Sequence, residues 1–446
     1  MSSHIPITPT TVWEDFRLWL MRLGVSYEWA DAIMLVVTFL AILLFIIVLV
    51  LALVLAERKI LGWIQIRPGP NRVGPWGILQ TVADALKLLY KEDIIPLNAD
   101  KPTFVLAPIV MFVASILSLV VIPFGVANIN GRYSYVVVKD LNIGLVYLIA
   151  VSTIGIIGII MGGWASNNKY SLYGAMRSVA QLISYEVPMV LALISVALYA
   201  GSLSLVDIVQ SQSRTLAILP LFPAFLIFLI GGVAETNRSP FDIPEAESEL
   251  VGGFHTEYSG MKFALFFLAE YINIFVVSAL IAICFLGGWK GPMFLGEKYL
   301  LFTSVFWFAL KTSIFIFLFI WIRGTFPRLR VDQLMHFAWK FLVPVAVVQV
   351  MVVAWGVTYR NPFFSGNMIP NISVSEVWTP KAMETLTTYS YVTAREALNL
   401  MNQSEKLAFL WSVLGFFVLV VLLAFYLYRT FKGFQPPSKL YEDLGF

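Results

Sequence analysis

The chain has 446 residues, of which 59% are hydrophobic and 13% charged, and its mean hydropathy of +0.82 excludes a soluble globular domain. A net charge of +3 leaves no strongly basic balance for nucleic acid, and a single cysteine, Cys284, excludes a disulfide or a thiolate metal site. The three histidines are scattered and neither G-x-x-x-x-G-K-[ST] nor G-x-G-x-x-G occurs, so no redox centre or bound nucleotide is expected in the chain itself.

Residues 1–30 are polar and aromatic, with Trp13, Trp19, Tyr27 and Trp29, and predict a helix lying on the membrane surface. Uncharged runs able to cross about 30 Å of hydrocarbon then recur near 32–56, 103–123, 142–165, 187–206, 217–234, 263–286, 301–322, 341–358 and 407–428. The expected fold is an all-α polytopic membrane protein of about nine spans. The first run reads as a span, being too long for a signal peptide. Lys and Arg collect in the loops after spans 1, 3, 5 and 7, which places those loops in the cytoplasm, the N-terminus outside and the C-terminus inside.

After the first span, Arg67-Pro-Gly-Pro-Asn71 and Gly74-Pro75-Trp76-Gly77 are stiff turns. From Ile78, Leu79, Val82, Leu86 and Leu89 oppose Gln80, Asp84, Lys87 and Lys91, the pattern of an amphipathic helix along the cytoplasmic interface. A plain surface anchor would show the same pattern. In the third span Gly155, Gly158 and Gly162 have spacings that permit close helix packing. Residues 166–186 read as a loop that delivers Glu186 to the membrane edge, with Pro188 just inside.

Glu270 and Lys311 stand within spans, where an ionised side chain costs roughly 2.5 to 3.5 kcal/mol on insertion scales and normally faces protein or water. They predict either a buried pair or, with Glu186 and Glu235, a hydrated polar track. The stretch 234–262 packs six carboxylates, Glu235, Asp242, Glu245, Glu247, Glu249 and Glu257, into a connector between spans 5 and 6, faced by Arg238 and Lys262. Pro240 and Pro244 stop the preceding helix, and Asp242-x-Pro244-Glu245 predicts a short helix over about 244–251. On it Glu245 and Glu249 would share one face and Glu247 point elsewhere. A solvated acidic connector is the plain alternative. Residues 323–340 form a basic loop, and 359–406 a polar segment outside the membrane.

These stretches together resemble the H-type membrane subunits of NADH:quinone oxidoreductase, respiratory complex I. The resemblance rests on Glu57-Arg58-Lys59, Arg67-Pro-Gly-Pro-Asn71, Ala83-Asp84-Ala85-Leu86-Lys87-Leu88, Phe241-Asp-Ile-Pro-Glu-Ala-Glu-Ser-Glu-Leu250, His255-Thr-Glu-Tyr258 and Arg323-Gly-Thr-Phe-Pro-Arg-Leu-Arg330. It covers about residues 32–358. The extension 1–30 and the ninth span depart from the family's eight-helix pattern, and Thr236 and Ser239 replace apolar residues. The chain then divides into an N-terminal extension 1–30, a core 31–358, an extracytoplasmic loop 359–406 and an additional span with a cytoplasmic tail, 407–446.

The resemblance implies a proton-pumping oxidoreductase of the bacterial inner membrane that reduces a quinone such as ubiquinone. Quinone is the substrate, nothing is bound covalently, and iron-sulfur clusters and FMN belong to partner subunits. It places Arg58, Arg67, Asp84, Lys87, Phe241 and Glu245 at the quinone cavity. It places Glu186, Glu235, Glu245, Glu247, Glu249, Glu270 and Lys311 on a proton path. Partners would be peripheral iron-sulfur and quinone-site subunits, neighbouring small and antiporter-like membrane subunits, and the bilayer. Two rivals are the membrane subunit of a related hydrogenase-type complex and an ion-coupled antiporter. Antiporters of that kind are often built from repeated halves, and no internal repeat is visible here.

Overall fold

The computed structural model describes residues 11–23, 25–129, 132–212, 216–243, 250–292 and 299–358. In order they form α1 (Val12–Arg22), α2 (Tyr27–Ile64), α3 (Gln80–Tyr90), α4 (Lys101–Leu119), β1 (Gly125–Ile129), β2 (Arg132–Val136), α5 (Gly144–Ala165), α6 (Lys169–Ala200), α7 (Leu205–Ser211), α8 (Phe222–Glu235), α9 (Gly260–Leu286) and α10 (Leu300–Thr325). A last helix, α11 (Val331–Thr358), runs through one π turn at Ala338–Leu342. Helices α2, α4, α5, α6, α9, α10 and α11 are long and apolar enough to cross a membrane, and α8 is a shorter apolar helix. The fold is all-α and polytopic. The ninth expected span, the segment 359–406 and most of the short helix over 244–251 lie outside the described residues.

Helix α9 is the centre of the bundle because its sequence is apolar on every face, the signature of a helix surrounded by protein. From Phe275 to Phe285 its residues are buried without interruption. Two of the three glycines let α5 pack closely, Gly158 on α4 and Gly162 on α9. A Cβ on Gly158 would stand 3.0 Å from the Ala107 carbonyl oxygen, and one on Gly162 would press on Phe266. Gly155 instead has open space above it among the described residues and lines a cavity.

Three segments differ from the reading of the sequence. Residues 169–186 are the first half of α6, continuous with the span, so Glu186 lies mid-helix. The face it buries carries Ser171, Gly174, Ala175, Ser178, Gln181 and Tyr185, a helical period written in small and polar residues that hydropathy does not register. The basic loop is likewise shorter, since α11 begins at Val331. Between α4 and α5 a hairpin pairs Gly125 with Val136 through Ile129 with Arg132. The Asn130-Gly131 dipeptide between β-branched and aromatic residues is the signal that would have found it.

Within the N-terminal extension, residues Val12–Arg22 form helix α1. Thr11 caps it in a capping box with Glu14. Arg17 pairs with Asp31 at 3.3 Å, and Asp15 accepts from Ser134, so α1 joins the start of α2 to the hairpin.

Candidate functional site

The amphipathic pattern after Ile78 becomes α3, whose polar face turns toward the end of α2. Arg58 on α2 pairs with Asp84 on α3, and Gln80 donates to the same carboxylate at 3.1 Å. The intervening turn folds back on α2: Lys59 donates to Asn71 at 3.3 Å, and the Arg67 amide to the Gly62 carbonyl at 2.9 Å. Gly77 is required there. Its φ is +77°, and a Cβ would fall 2.1 Å from the Pro70 carbonyl oxygen. Arg58, Leu61, Arg67 and the Pro68–Pro70 turn enclose an open cavity of about 450 Å³. Arg67 and Lys87 are exposed, and Arg67 donates to Gln65 at 2.6 Å.

Behind this mouth lies a chain of buried charges. Glu57, one residue before Arg58, is 5% exposed and pairs with Arg323 on α10 and, at 3.7 Å, with Arg238 in the acidic connector. Arg238, also buried, reaches Glu270 on α9 at 3.9 Å and lies 4.9 Å over the ring of Tyr271. Two carboxylates and two guanidiniums balance, and without such pairing charges would not stay so far from water.

The first half of the connector is held rigidly by polar side chains from α6 and the 326–330 loop. Gln181 donates to the carbonyls of Ala234 at 2.9 Å and Phe241 at 2.7 Å. Arg328 bonds Asp242 at 3.0 Å, and the Leu329 amide bonds the Pro240 carbonyl at 3.1 Å. Phe241, assigned to the quinone cavity by resemblance, is buried and packs edge-on against Tyr185 with ring centroids 5.2 Å apart.

The chain of charges opens into a second cavity of about 80 Å³ between α4, α5, α6, α8 and α9, room for about five to eight waters at 10–15 Å³ each. Glu186, Glu235 and Glu270 line it with Asn237, Asn273 and Thr153. Thr153 donates to Glu186 at 2.5 Å. Three of the carboxylates expected on a polar track therefore share one cavity. Glu245, Glu247 and Glu249 lie outside the described residues.

Lys311 does not join them. Its Nζ donates to the carbonyls of Leu286, Gly288 and Lys290 at 2.6, 2.9 and 2.6 Å, at the far end of α9. Sixteen residues of helix, about 24 Å, separate Glu270 from the first of these carbonyls. The expected Glu270–Lys311 pair is replaced by Arg238–Glu270, because two residues central in their own sequences belong to opposite ends of the bundle. Lys290 nearby donates to the Gln210 carbonyl at 2.8 Å, and burial together with the charge of Lys311 pushes its ammonium down to about 7.

Sequence reasoning missed Glu57, Arg238 and Arg323 as a unit, and missed Asn237, Asn273 and Thr153. Glu57 closing a 25-residue uncharged run was the one available signal. His255 follows the connector within a cage of Phe254, Phe263, Phe266 and Phe267, and burial pushes its imidazole down to about 3. It is neutral and packs as an aromatic. Among the described residues no group of three or more His, Cys, Asp or Glu could hold a metal ion.

Comparison with known proteins gives this arrangement its family. The family model described as NADH dehydrogenase matches residues 37–354. A Brevibacillus brevis protein, named as the H-type subunit of NADH-quinone oxidoreductase, is 53% identical over 308 residues, 69% of this chain and 88% of its own length. The Geobacter sulfurreducens protein named as the second H-type subunit of NADH-quinone oxidoreductase is 54% identical over 316 residues, 70% of this chain and 94% of its own. A Geobacillus kaustophilus protein, named like the Brevibacillus one, is 54% identical over 302 residues, 68% of this chain and 87% of its own. The matched span contains the mouth, the buried charges and the carboxylate cavity, and the chain belongs to the NADH dehydrogenase family, among the H-type subunits of NADH-quinone oxidoreductase.

Proposed function

We propose that this chain forms the quinone entry and binding cavity of a proton-pumping NADH:quinone oxidoreductase and carries the first protonatable groups that respond to quinone reduction. The observation that carries the reading is continuity. The Arg58–Asp84 mouth meets the buried Glu57–Arg238–Glu270 chain at adjacent residues of α2, and Glu270 lines the cavity shared with Glu186 and Glu235.

An apolar quinone tail enters sideways from the bilayer between α2 and α3, with the head toward Arg58 and Arg67. Reduction puts negative charge on the head before protons arrive. Two unit charges about 10 Å apart at an effective dielectric near 20 interact by roughly 1.7 kcal/mol, about one pKa unit. Charge at the mouth therefore draws protons toward Glu57 and Glu270 by pulling Arg238 and Arg323 off them, and Glu186 and Glu235 exchange with the cavity water. Glu245, Glu247 and Glu249 extend the same response along the connector. Lys311 keeps a structural place at the opposite end. Electron transfer is supplied by iron-sulfur and FMN-bearing partner subunits docked on the cytoplasmic side, where Arg67, Lys87 and the 326–330 loop are exposed, and antiporter-like subunits continue the path. The membrane is the bacterial inner membrane, with the N-terminus outside.

The test is photolabelling of the natively purified complex with a photoreactive quinone, together with Arg67→Ala and Asp84→Asn. Label on residues 58–70, and quinone reduction down about tenfold or more while electron transfer to a hydrophilic acceptor persists, is the expected result. Equal loss of both activities in an assembled complex, or label confined to other subunits, would overturn it.

A further inference from the structure

Helix α3 is fastened a second time, beyond its C-terminal end, by residues that the Arg58–Asp84 mouth does not use. The chain leaves the helix at Lys91, whose backbone is extended. Ser259, the N-cap of α9, accepts from the Ile94 amide at 3.1 Å and donates to the Glu92 carbonyl at 3.3 Å. Lys262, in the first turn of α9, lies 2.9 Å from Asp93 and 5.4 Å over the ring of Phe104. That ring is stacked at 4.1 Å on Tyr258, so the ammonium is seated on a fixed platform. Between the two contacts Gly260 has φ +55°, and a Cβ there would meet the carbonyl oxygens of Lys91 at 3.2 Å and Leu88 at 3.7 Å. The last carbonyls of α3 thus rest on the first turn of the most buried helix of the bundle.

This attachment has a mechanical meaning. Leu79, Val82, Leu86 and Leu89 are all exposed, so the apolar face of α3 is not packed against the described bundle. A helix of 11 residues, about 16 Å long, held near its middle by Asp84 and past its end by Asp93, has its orientation set by those two points. Without the second it pivots about the first. The Lys262 side chain is 12% exposed and that of Asp93 50%. A half-exposed ion pair adds little to global stability, and its consequence is the position of the helix.

We propose that Ser259, Lys262 and Asp93 are positioning residues that fix the far end of α3 and so set the width of the mouth for the apolar tail of the quinone. This rests on the reading of α3 as the wall of a quinone mouth. A swung helix changes the fit of a long tail along the wall and leaves the head's contacts at Arg58 and Arg67 in place. The signature is therefore a change in KM that depends on tail length.

The experiment uses the intact complex with Lys262→Glu, Asp93→Lys, the combined swap, and Asp93→Asn as a mild change at an exposed position. Each is assayed with a long-tail quinone and with a short-tail, water-soluble analogue. Each reversal should raise KM for the long-tail substrate about fivefold and leave kcat and the short-tail KM within about twofold, and the swap should restore the long-tail KM. Asp93→Asn should raise it about twofold, and it carries the test where Lys262→Glu does not assemble. Unchanged KM values, equal rises for both substrates, or no rescue by the swap in an assembled complex would overturn the proposal. Asp84→Asn separates the two levels. If it too leaves quinone reduction intact, the mouth itself is misplaced; if it lowers quinone reduction while the Asp93 and Lys262 variants do not discriminate tails, only the clamp fails.

Discussion

Each end of the bundle holds a cation, and the two are satisfied by different chemistry. At the acidic end Arg238 sits between Glu57 and Glu270, carboxylates on two different helices. At the hairpin end Lys311 donates to three backbone carbonyls of one turn. Carboxylates take up protons and carbonyls do not. The first arrangement joins charges of opposite sign on separate helices, whereas the second holds the end of α9 to α10, with a cation complementing a helix C-terminus. Two ionised residues that look alike in the sequence thus sit in different surroundings, one among carboxylates and the other among backbone carbonyls.

The largest effect should come from breaking the acidic end. Arg238→Gln leaves Glu57 and Glu270 buried together, a change of about 3 to 5 kcal/mol when one partner of a buried pair is removed. Quinone-dependent turnover should fall at least about 100-fold, and adding Glu270→Gln should recover assembly of the complex on native gels. The fastening should fail differently. Lys311→Met strands three carbonyls at about 1 to 3 kcal/mol for an unsatisfied buried group, so the thermal midpoint should drop. Turnover and proton-to-electron ratio should stay within about twofold, and a lowered ratio at normal stability would return Lys311 to the proton path.

A gentler probe is Thr153→Val, which removes the hydrogen bond to Glu186 without adding volume. About 1 kcal/mol should appear as a roughly fivefold loss of turnover with assembly unchanged, read in reconstituted vesicles. The smallest effect concerns His255. Its folded pKa of about 3 lies below the ordinary value of 6.5, so the unfolded chain binds the extra proton. Stability is full above about 6.5 and is lost as pH falls toward 3. His255→Phe should flatten the pH dependence of the thermal midpoint between about pH 6.5 and 4 and leave turnover at neutral pH unchanged.

Much of this was legible in the sequence because membranes impose a length and an apolar composition on every span. Where hydropathy and helix coincide, as in α4, α5, α9 and α10, spans and structure agree. They diverge at 169–186, where Ser178 and Gln181 face protein rather than water, and composition does not separate those environments. The turn at 67–77 and the helix that carries Asp84 were legible through short motifs and an amphipathic period. The Glu57–Arg238–Glu270 chain was not, since its members lie 181 and 32 residues apart in sequence and only the docking of α2 on α9 brings them together. The Glu270–Lys311 pair did not form for the same reason: depth in its own helix does not fix which end of the neighbouring helix a residue faces.

Helix α2 adds a dependence on the lipid itself. Its 38 residues rise about 57 Å, and the uncharged stretch 32–56 alone about 37 Å, against about 30 Å of hydrocarbon. Tilt is one way to accommodate the excess, and thinner bilayers demand more of it, at fractions of a kcal/mol per ångström of mismatch. Glu57 is tied to Arg238 and Arg323, and Arg58 to α3. The inclination of this one helix therefore bears on both sets of contacts, and turnover is expected to vary with acyl-chain length whatever the headgroup.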